Sequence, residues 1–322
     1  PPLLCYRRQR QMCIRDRIKE ALEILNAYDP VSTPSADEIF SCSRTLNMML
    51  RAYQSQGLHL WKLEEVHMFL QTDKTRYILS PTGDSAVLAN TWFATAVKVA
   101  AVATDTTIDV DSTANMTVGD KIGIRMDSGT WHWSTVSSIT DSDTVVIADA
   151  LTDDAAIDNI VRSYTNNIQR PLKIRNAYLR KYSSNSDSQL HMVSREEYHA
   201  IGIKNQEGTP NQIYFDPRLD TAEVRISPEP SSTNTEDYIV LICEYPFEDF
   251  DTGANTPDFP PEWYEAVVWG LAVRLMYKYG ATVTQDRRHE IMAISRNMLE
   301  EALSMDNENT SLFMQPHRRY LR

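Results

Sequence analysis

Two tryptophans flank a histidine at Trp131-His132-Trp133, the most unusual triplet in the chain. On a strand the two indoles share one side and the imidazole takes the other. Such a pair could form an aromatic platform for sugars or bases. It could also fill the core of a small β module that otherwise has few large residues. The second reading is preferred, and it leaves His132 exposed. His289-Glu290 begins like a helical zinc motif, but Ala293 stands where the second His must fall, so an exposed polar helix face is expected. Asp109-x-Asp111 could open a calcium loop, yet Thr113 is a poor third ligand and the following glycine is missing. Glycosidase chemistry needs two carboxyls facing each other across roughly 5–10 Å. The pairs Glu64-Glu65, Asp153-Asp154, Glu196-Glu197 and Glu300-Glu301 are sequence neighbours that point apart, so none qualifies by itself. There is no nucleophile elbow, phosphate loop or dinucleotide glycine run. Cys5, Cys13, Cys42 and Cys243 show no Cys-x-x-Cys spacing and no companion His cluster, so free thiols are expected rather than a zinc site. No catalytic residue, metal or cofactor is assigned.

Whatever the chain does must therefore come from its surfaces. It has 322 residues, 32 Lys and Arg against 44 Asp and Glu, and a net charge of −12. This length can bury a sizeable core, and 42% hydrophobic with 24% charged residues is a globular balance. The acidity argues against a protein that grips nucleic acid by neutralising phosphates, and against an anionic membrane surface. No apolar run approaches the roughly 20 residues of a membrane span. The richest stretch, Ala94 to Ala103, has Lys98 in its middle.

Residues 1–17 hold five Arg, one acid and two of the four Cys, and resemble translated adapter DNA more than a native leader. Ile18 is expected as the first native residue. Without the five Arg and Asp16 the net charge moves from −12 to −16.

An α+β fold is expected. Ile18, Ala21, Leu22 and Leu25 recur at helical spacing. Ser35 and Glu38 form a capping box before the stripe Ile39, Cys42, Leu46, Met49, Leu50 and Tyr53, which ends at Gly57. The two helices are expected to pair as an antiparallel hairpin. Period-two alternation then places strands around Val66, Met68 and Leu70 and at Tyr77–Leu79. Residues 85–165 are rich in Thr, Val, Asp, Ala and Ser, with short runs at 97–103, 106–110, 121–126, 130–136 and 144–149 between turns. These predict a small antiparallel sandwich or barrel inserted in a parent domain. The parent resumes with a strand from Pro171, a short helix capped by Ser194 and Glu197, and strands at 211–216, 222–227 and 237–245. Two helices follow, 260–279 and about 284–305. The first has Trp263, Ala266, Val267, Leu271, Leu275 and Met276 inward. The second has Ile291, Ile294, Met298 and Ala302 or Leu303 inward. The expected organisation is a core of 18–84 with 166–305, a module of 85–165 and an extended tail of 306–322.

Four stretches resemble, in order and spacing, the head-to-tail adaptor proteins of short-tailed phages, the tail tubular protein A-like and packaged-DNA-stabilisation proteins. They are Leu46-Asn47-Met48-Met49-Leu50-Arg51-Ala52-Tyr53 running on to Trp61; Arg170-Pro171-Leu172-Lys173-Ile174-Arg175-Asn176-Ala177; Gly208 to Pro217; and Phe247 to Asp251 continuing at Phe259-Pro260-Pro261-Glu262-Trp263-Tyr264-Glu265-Ala266. Leu271–Leu275 and Tyr279-Gly280 extend the last. The resemblance spans about Ile18 to Pro316, with the β module its least characteristic part. It implies a virion protein at the head–tail junction: a ring of about twelve copies under the portal protein. The helices would pack side by side around a DNA channel, and the β part would face the tail or nozzle proteins. Double-stranded DNA would pass without sequence-specific binding, and no membrane would be involved. The tail, through Leu312, Phe313, Met314, Gln315, Pro316, Arg318 and Arg319, would reach the portal or a neighbouring subunit. A cell-wall-degrading virion enzyme and a carbohydrate-binding tail module are the alternatives.

Overall fold

A computed structural model of the chain describes residues 14–27, 29, 31–55, 62–247 and 260–305. The chain is α+β, as its periodicities predict, and the described residues fall into two compact units. One joins the residues up to Lys62 with those from Pro246; the other is Leu63–Tyr245. The β parent expected to go with the helices therefore groups with the inserted module instead.

The helical unit holds α1 (Ile14–Ile24), α2 (Ala36–Gln54), α4 (Tyr264–Tyr279) and α5 (Gln285–Met305); the short α3 (Arg195–Ala200) belongs to the other unit. α4 packs against α1, α2 and α5. A helix covered on several sides must be apolar nearly all round. Ala266, Val267, Val268, Leu271, Ala272, Leu275 and Met276 are accordingly all buried. Gly270 sets the approach of α2 to α4: a Cβ there would lie 2.1 Å from the Tyr53 hydroxyl oxygen. Ser35 caps α2 through the predicted box, its Oγ accepting from the Glu38 N–H. On α5, Ile291 and Ala302 are buried, with Met298 and Leu303 packed against the core.

The expected start of α1 at Ile18 is displaced. The helix begins at Ile14, one turn earlier, with Ile14 buried and the Arg17 guanidinium 3.7 Å from the Tyr264 ring centre. Ile14 extends the Ile18/Leu22 stripe by one further step of four, and this local apolar spacing runs through the charge boundary.

The second unit is built from strands: β1 (Leu63–Phe69), β2 (Arg76–Leu79), β3 (Ala86–Leu88), β4 (Trp92–Ala96), β5 (Thr107–Asp109), β6 (Lys121–Arg125), β7 (Trp131–Ile139), β8 (Thr144–Ile147), β9 (Ile160–Tyr164), β10 (Lys173–Lys181), β11 (Ser186–Gln189), β12 (His191–Met192), β13 (Glu207–Gly208), β14 (Gln212–Pro217), β15 (Ala222–Ser227), β16 (Glu229–Pro230) and β17 (Tyr238–Glu244). A five-stranded sheet, β11-β10-β17-β1-β3, turns Val66, Met68, Ala177, Leu179, Ile239 and Leu241 toward a four-stranded sheet, β12-β14-β15-β2, which answers with Ile213, Val224, Ile226, Tyr77 and Leu79. Alternation puts the intervening residues of each sheet on its far side.

The module is a six-stranded sheet, β4-β9-β6-β7-β8-β5, whose two ends are bridged at Val97–Val110, so it closes as a barrel. Ile108, Ile122, Ile124, Val136, Val145, Ile147 and Val161 fill it. Two expectations change here. Residues 97–103 do not form a strand; only Val97 and Ala101 bridge, and they are buried while Val99 and Val102 are exposed. The barrel starts at Trp92 rather than 85, because Ala86–Leu88 pair with Val66–Met68 in the parent sheet. The far face of that sheet covers the barrel through Phe69, Val87, Tyr238 and Val240, packed with Tyr164, Trp92 and Trp133. The unit thus has three layers: four-stranded sheet, five-stranded sheet, barrel.

Candidate functional site

The outer face of the four-stranded sheet carries the densest group of charges. With Ile213, Val224 and Tyr77 inward, alternation sends Tyr214, Asp216, Glu223, Arg225 and Arg76 outward. Register then creates a conflict: Arg225 lies opposite Arg76, and Glu223 opposite Asp216. Like charges directly across a sheet repel. The side chains resolve this by pairing diagonally. Glu223 takes Arg76 at 2.8 Å, Arg225 at 2.6 Å and Arg218 at 2.5 Å; Asp216 takes Arg195 at 2.6 Å and Arg218 at 3.4 Å. α3 delivers Arg195 as its first residue, behind the Ser194/Glu197 capping box. Arg195 Nε donates to the Tyr214 hydroxyl at 2.8 Å, and the Tyr214 ring stacks on Tyr198 at 5.6 Å.

The carboxylate lies beneath and the guanidiniums above. The Glu223 side chain is 1% exposed, against 52% for Arg76 and 65% for Arg195. Burial pushes the Glu223 carboxyl up, but the hydrogen bonds and charges of Arg225 and Arg76 outweigh it and hold the group below the usual carboxylate range. Within this ion-paired cluster four arginines stand over two acids, two guanidiniums more than carboxylates. Guanidiniums fixed this way present planar donor forks that suit a carboxylate or a phosphate. The sequence signal for this face was available in the alternation of Ala222–Ser227 and Gln212–Pro217. What no local pattern could supply was that Arg76, Arg195 and Arg218 converge on Glu223.

A second buried charge lies between the middle sheet and the barrel. Arg162 is fully buried, its guanidinium 4.6 Å from the ring centres of both Phe69 and Trp131 and 5.6 Å from that of Tyr238. Nη2 donates to the Glu236 carbonyl, while Nε and Nη1 meet no acceptor among the described residues. Burial lowers its pKa to about 10, so it stays a cation at neutral pH. Beside it His67 is buried, accepting at Nδ1 from Trp92 Nε1–H at 2.9 Å and donating from Nε2 to Glu65 at 2.9 Å. This pairing fixes the neutral tautomer. Burial lowers the His67 pKa, against the opposing pull of Glu65. With both ring nitrogens engaged, the imidazole holds strands together.

Trp131 and Trp133 stack on each other at 5.7 Å, and Trp133 also engages Phe69 and Tyr164. They do not fill the barrel core as expected; they fill the seam between barrel and sheet. Gly123 on β6 makes room, since a Cβ there would lie 2.6 Å from the Trp133 ring. His132, expected to be exposed, is buried on the opposite side of β7, bonded to the Asp149 carbonyl at 3.2 Å. The reason is the face swap: once the indoles point at the parent sheet, the imidazole points into the barrel. Asp109 accepts from the Thr144 hydroxyl, and no cluster of three His, Cys, Asp or Glu among the described residues could hold a metal. Glu65, Glu197 and Glu300 are each engaged locally, by His67, Ser194 and Arg296. Cys42 and Cys243 are free and buried, and burial raises both thiol pKa values. Among the described residues no helix is long and apolar enough to cross a membrane. The tail residues Leu312, Phe313, Met314, Gln315, Pro316, Arg318 and Arg319 lie outside the described residues.

No family model matches the chain, and no curated protein matches it. Among solved structures it overlaps with VP17, a capsid protein of bacteriophage P23-77, at 11% identity over 56% of this chain and 80% of that one. The TM-score is 0.12.

Proposed function

We propose that the chain is a virion structural protein and, within that class, a ring-forming connector between phage head and tail, docked under the portal and lining the DNA exit path. The observation that carries this reading is the water-facing ridge of α2, the helix in which the first adaptor-like stretch begins. Asp37, Phe40, Arg44, Met48 and Arg51 recur along it at helical spacing, with Phe40 62% and Met48 60% exposed. Large apolar side chains set in line on a solvent face are a contact surface in waiting. α4 adds Tyr277, 85% exposed. The acidic balance suits a conduit, because a lumen that repels phosphate lets DNA slide. The tail through Leu312 and Phe313 is the proposed portal contact.

The test is assembly of the full chain, with and without its portal, followed by electron microscopy and mass photometry. Rings are expected; monomers alone in both mixtures would overturn the reading. Phe40→Asp with Met48→Asp should abolish rings while helix content is kept. Deletion of 306–322 should weaken portal docking and leave a folded protein. Peptidoglycan release by the purified protein is expected to be absent; turnover abolished by a carboxylate substitution would favour the enzyme instead.

A further inference from the structure

The two outermost layers of Leu63–Tyr245 carry charge clusters of opposite sign. On one side stand Arg76, Arg195, Arg218 and Arg225, in surplus over Glu223 and Asp216. On the other is the far side of the barrel. Strands β4, β9 and β7 supply Trp92, Tyr164 and Trp133 to the seam with the middle sheet, and β8 and β5, which supply none of that seam, lie on the other side of the barrel. Segment 85–165 contains eleven Asp, no Glu and only four Lys and Arg, which places a net −7 of the chain's −12 on this module. Three of its four bases, Lys121, Arg125 and Arg162, alternate away from the buried Ile122, Ile124 and Val161 onto the docked face. The fourth, Lys98, is ion-paired with Asp143 and lies in the field of Asp109 and Asp111. With Asp141, whose carboxylate bonds the N–H groups of Asp143 and Thr144, four acids surround one base around β5 and β8.

We infer that the arginine face of one copy docks on the aspartate face of the barrel of the next copy. This rests on the ring-forming reading above and adds to the α2 ridge a second contact, made through the β unit. Two-fold pairing through either face would set guanidinium against guanidinium or carboxylate against carboxylate, which is repulsive. A contact between unlike faces of one body is heterologous, and such contacts close into a ring when the rotation allows. The guanidiniums are already oriented by Glu223 and Tyr214, so few rotamers need freezing on contact. Duplex phosphate is the weaker occupant. Two surplus charges release few counterions, and the rest of the chain is anionic.

The experiment is sedimentation velocity on the full chain over a range of concentration and salt, with near-ultraviolet circular dichroism to check folding. Variant one is Arg76→Glu with Arg195→Glu; variant two is Asp111→Lys with Asp141→Lys. Each alone is expected to lose self-association by at least about tenfold, and an equimolar mixture of the two should regain it, because each then meets an opposite charge. The milder pairs Arg76→Gln with Arg195→Gln and Asp111→Asn with Asp141→Asn serve if a reversal fails to fold, and each should also weaken association. Association unchanged in all four variants, or a mixture that does not recover, overturns the inference while rings of the wild type keep the connector reading standing. A wild type monomeric at every concentration, with and without portal, overturns both. If duplex DNA binding is lost in Arg76→Gln with Arg195→Gln and self-association is intact, the face belongs to phosphate and the inference is overturned.

Discussion

Arg162 and Glu223 are both charges buried on a sheet face of the same unit, and their surroundings differ completely. Arg162 is enclosed by aromatic rings and bonded to one carbonyl, with no acid within ion-pairing distance among the described residues. Glu223 is covered by three guanidiniums. The first arrangement ends at the interlayer seam: nothing of the charge reaches water, and the gain is packing plus cation–ring attraction. The second turns outward, because the arginines that neutralise Glu223 are themselves long, half-exposed and more numerous than the acids. A buried cation among rings pins layers together, while a buried anion under arginines builds a charged surface.

The sharpest way to break this contrast is to empty the cage. Arg162→Ala removes a large side chain from a filled seam and should cost about 3 kcal/mol, read from the urea midpoint. Arg162→Met keeps most of the volume and should recover most of that loss. A Met variant as unstable as the Ala variant would show that the charge, not the packing, is what the rings hold.

Glu223→Gln is the counterpart and should cost about 2 kcal/mol, less than a fully enclosed pair because its arginines are partly in water. Its pH signature follows from the depressed pKa. The stabilisation is whole above the unfolded carboxylate value of about 4.3 and is lost as pH falls through the lower folded value. Acid unfolding of Glu223→Gln should therefore be shallower than that of the wild type.

Gly123→Ala forces a methyl against the Trp133 ring and should cost about 1–3 kcal/mol, with the near-ultraviolet tryptophan signal altered. His67→Phe should lose about 1 kcal/mol at neutral pH through the missing Trp92 bond. Because folding lowers the His67 pKa, its contribution is complete above the unfolded value of about 6.5 and fades as pH drops through the folded one. The Phe variant should flatten that part of the stability curve.

Local rules were readable and distant ones were not. Both capping boxes, Ser35/Glu38 and Ser194/Glu197, form as their spacing dictates, and the stripe from Cys42 to Tyr53 is buried as predicted. β14, β15 and β17 also lie where alternation placed them. β11 escaped because Ser186–Gln189 is polar on both faces and is held only by its pairing with β10. Arg162 in a Val-Arg-Ser-Tyr run reads as a surface residue; only the meeting of β1, β7, β9 and β17 buries it. The indoles of Trp131 and Trp133 were correctly read as sharing a face, but which neighbour that face meets is a tertiary fact. The same limit applies to the arginine face, whose members lie between positions 76 and 225 in the chain.

Trp92 and Tyr164, where the barrel segment begins and ends, are direct cross-strand partners. The module hangs from the parent sheet by two adjacent threads, like a cassette with its terminals side by side. Evolution can exchange such a cassette, and an engineer can graft one, with a single short join as the scar. The newcomer must bring its own cover for Phe69, Val87, Tyr238 and Val240.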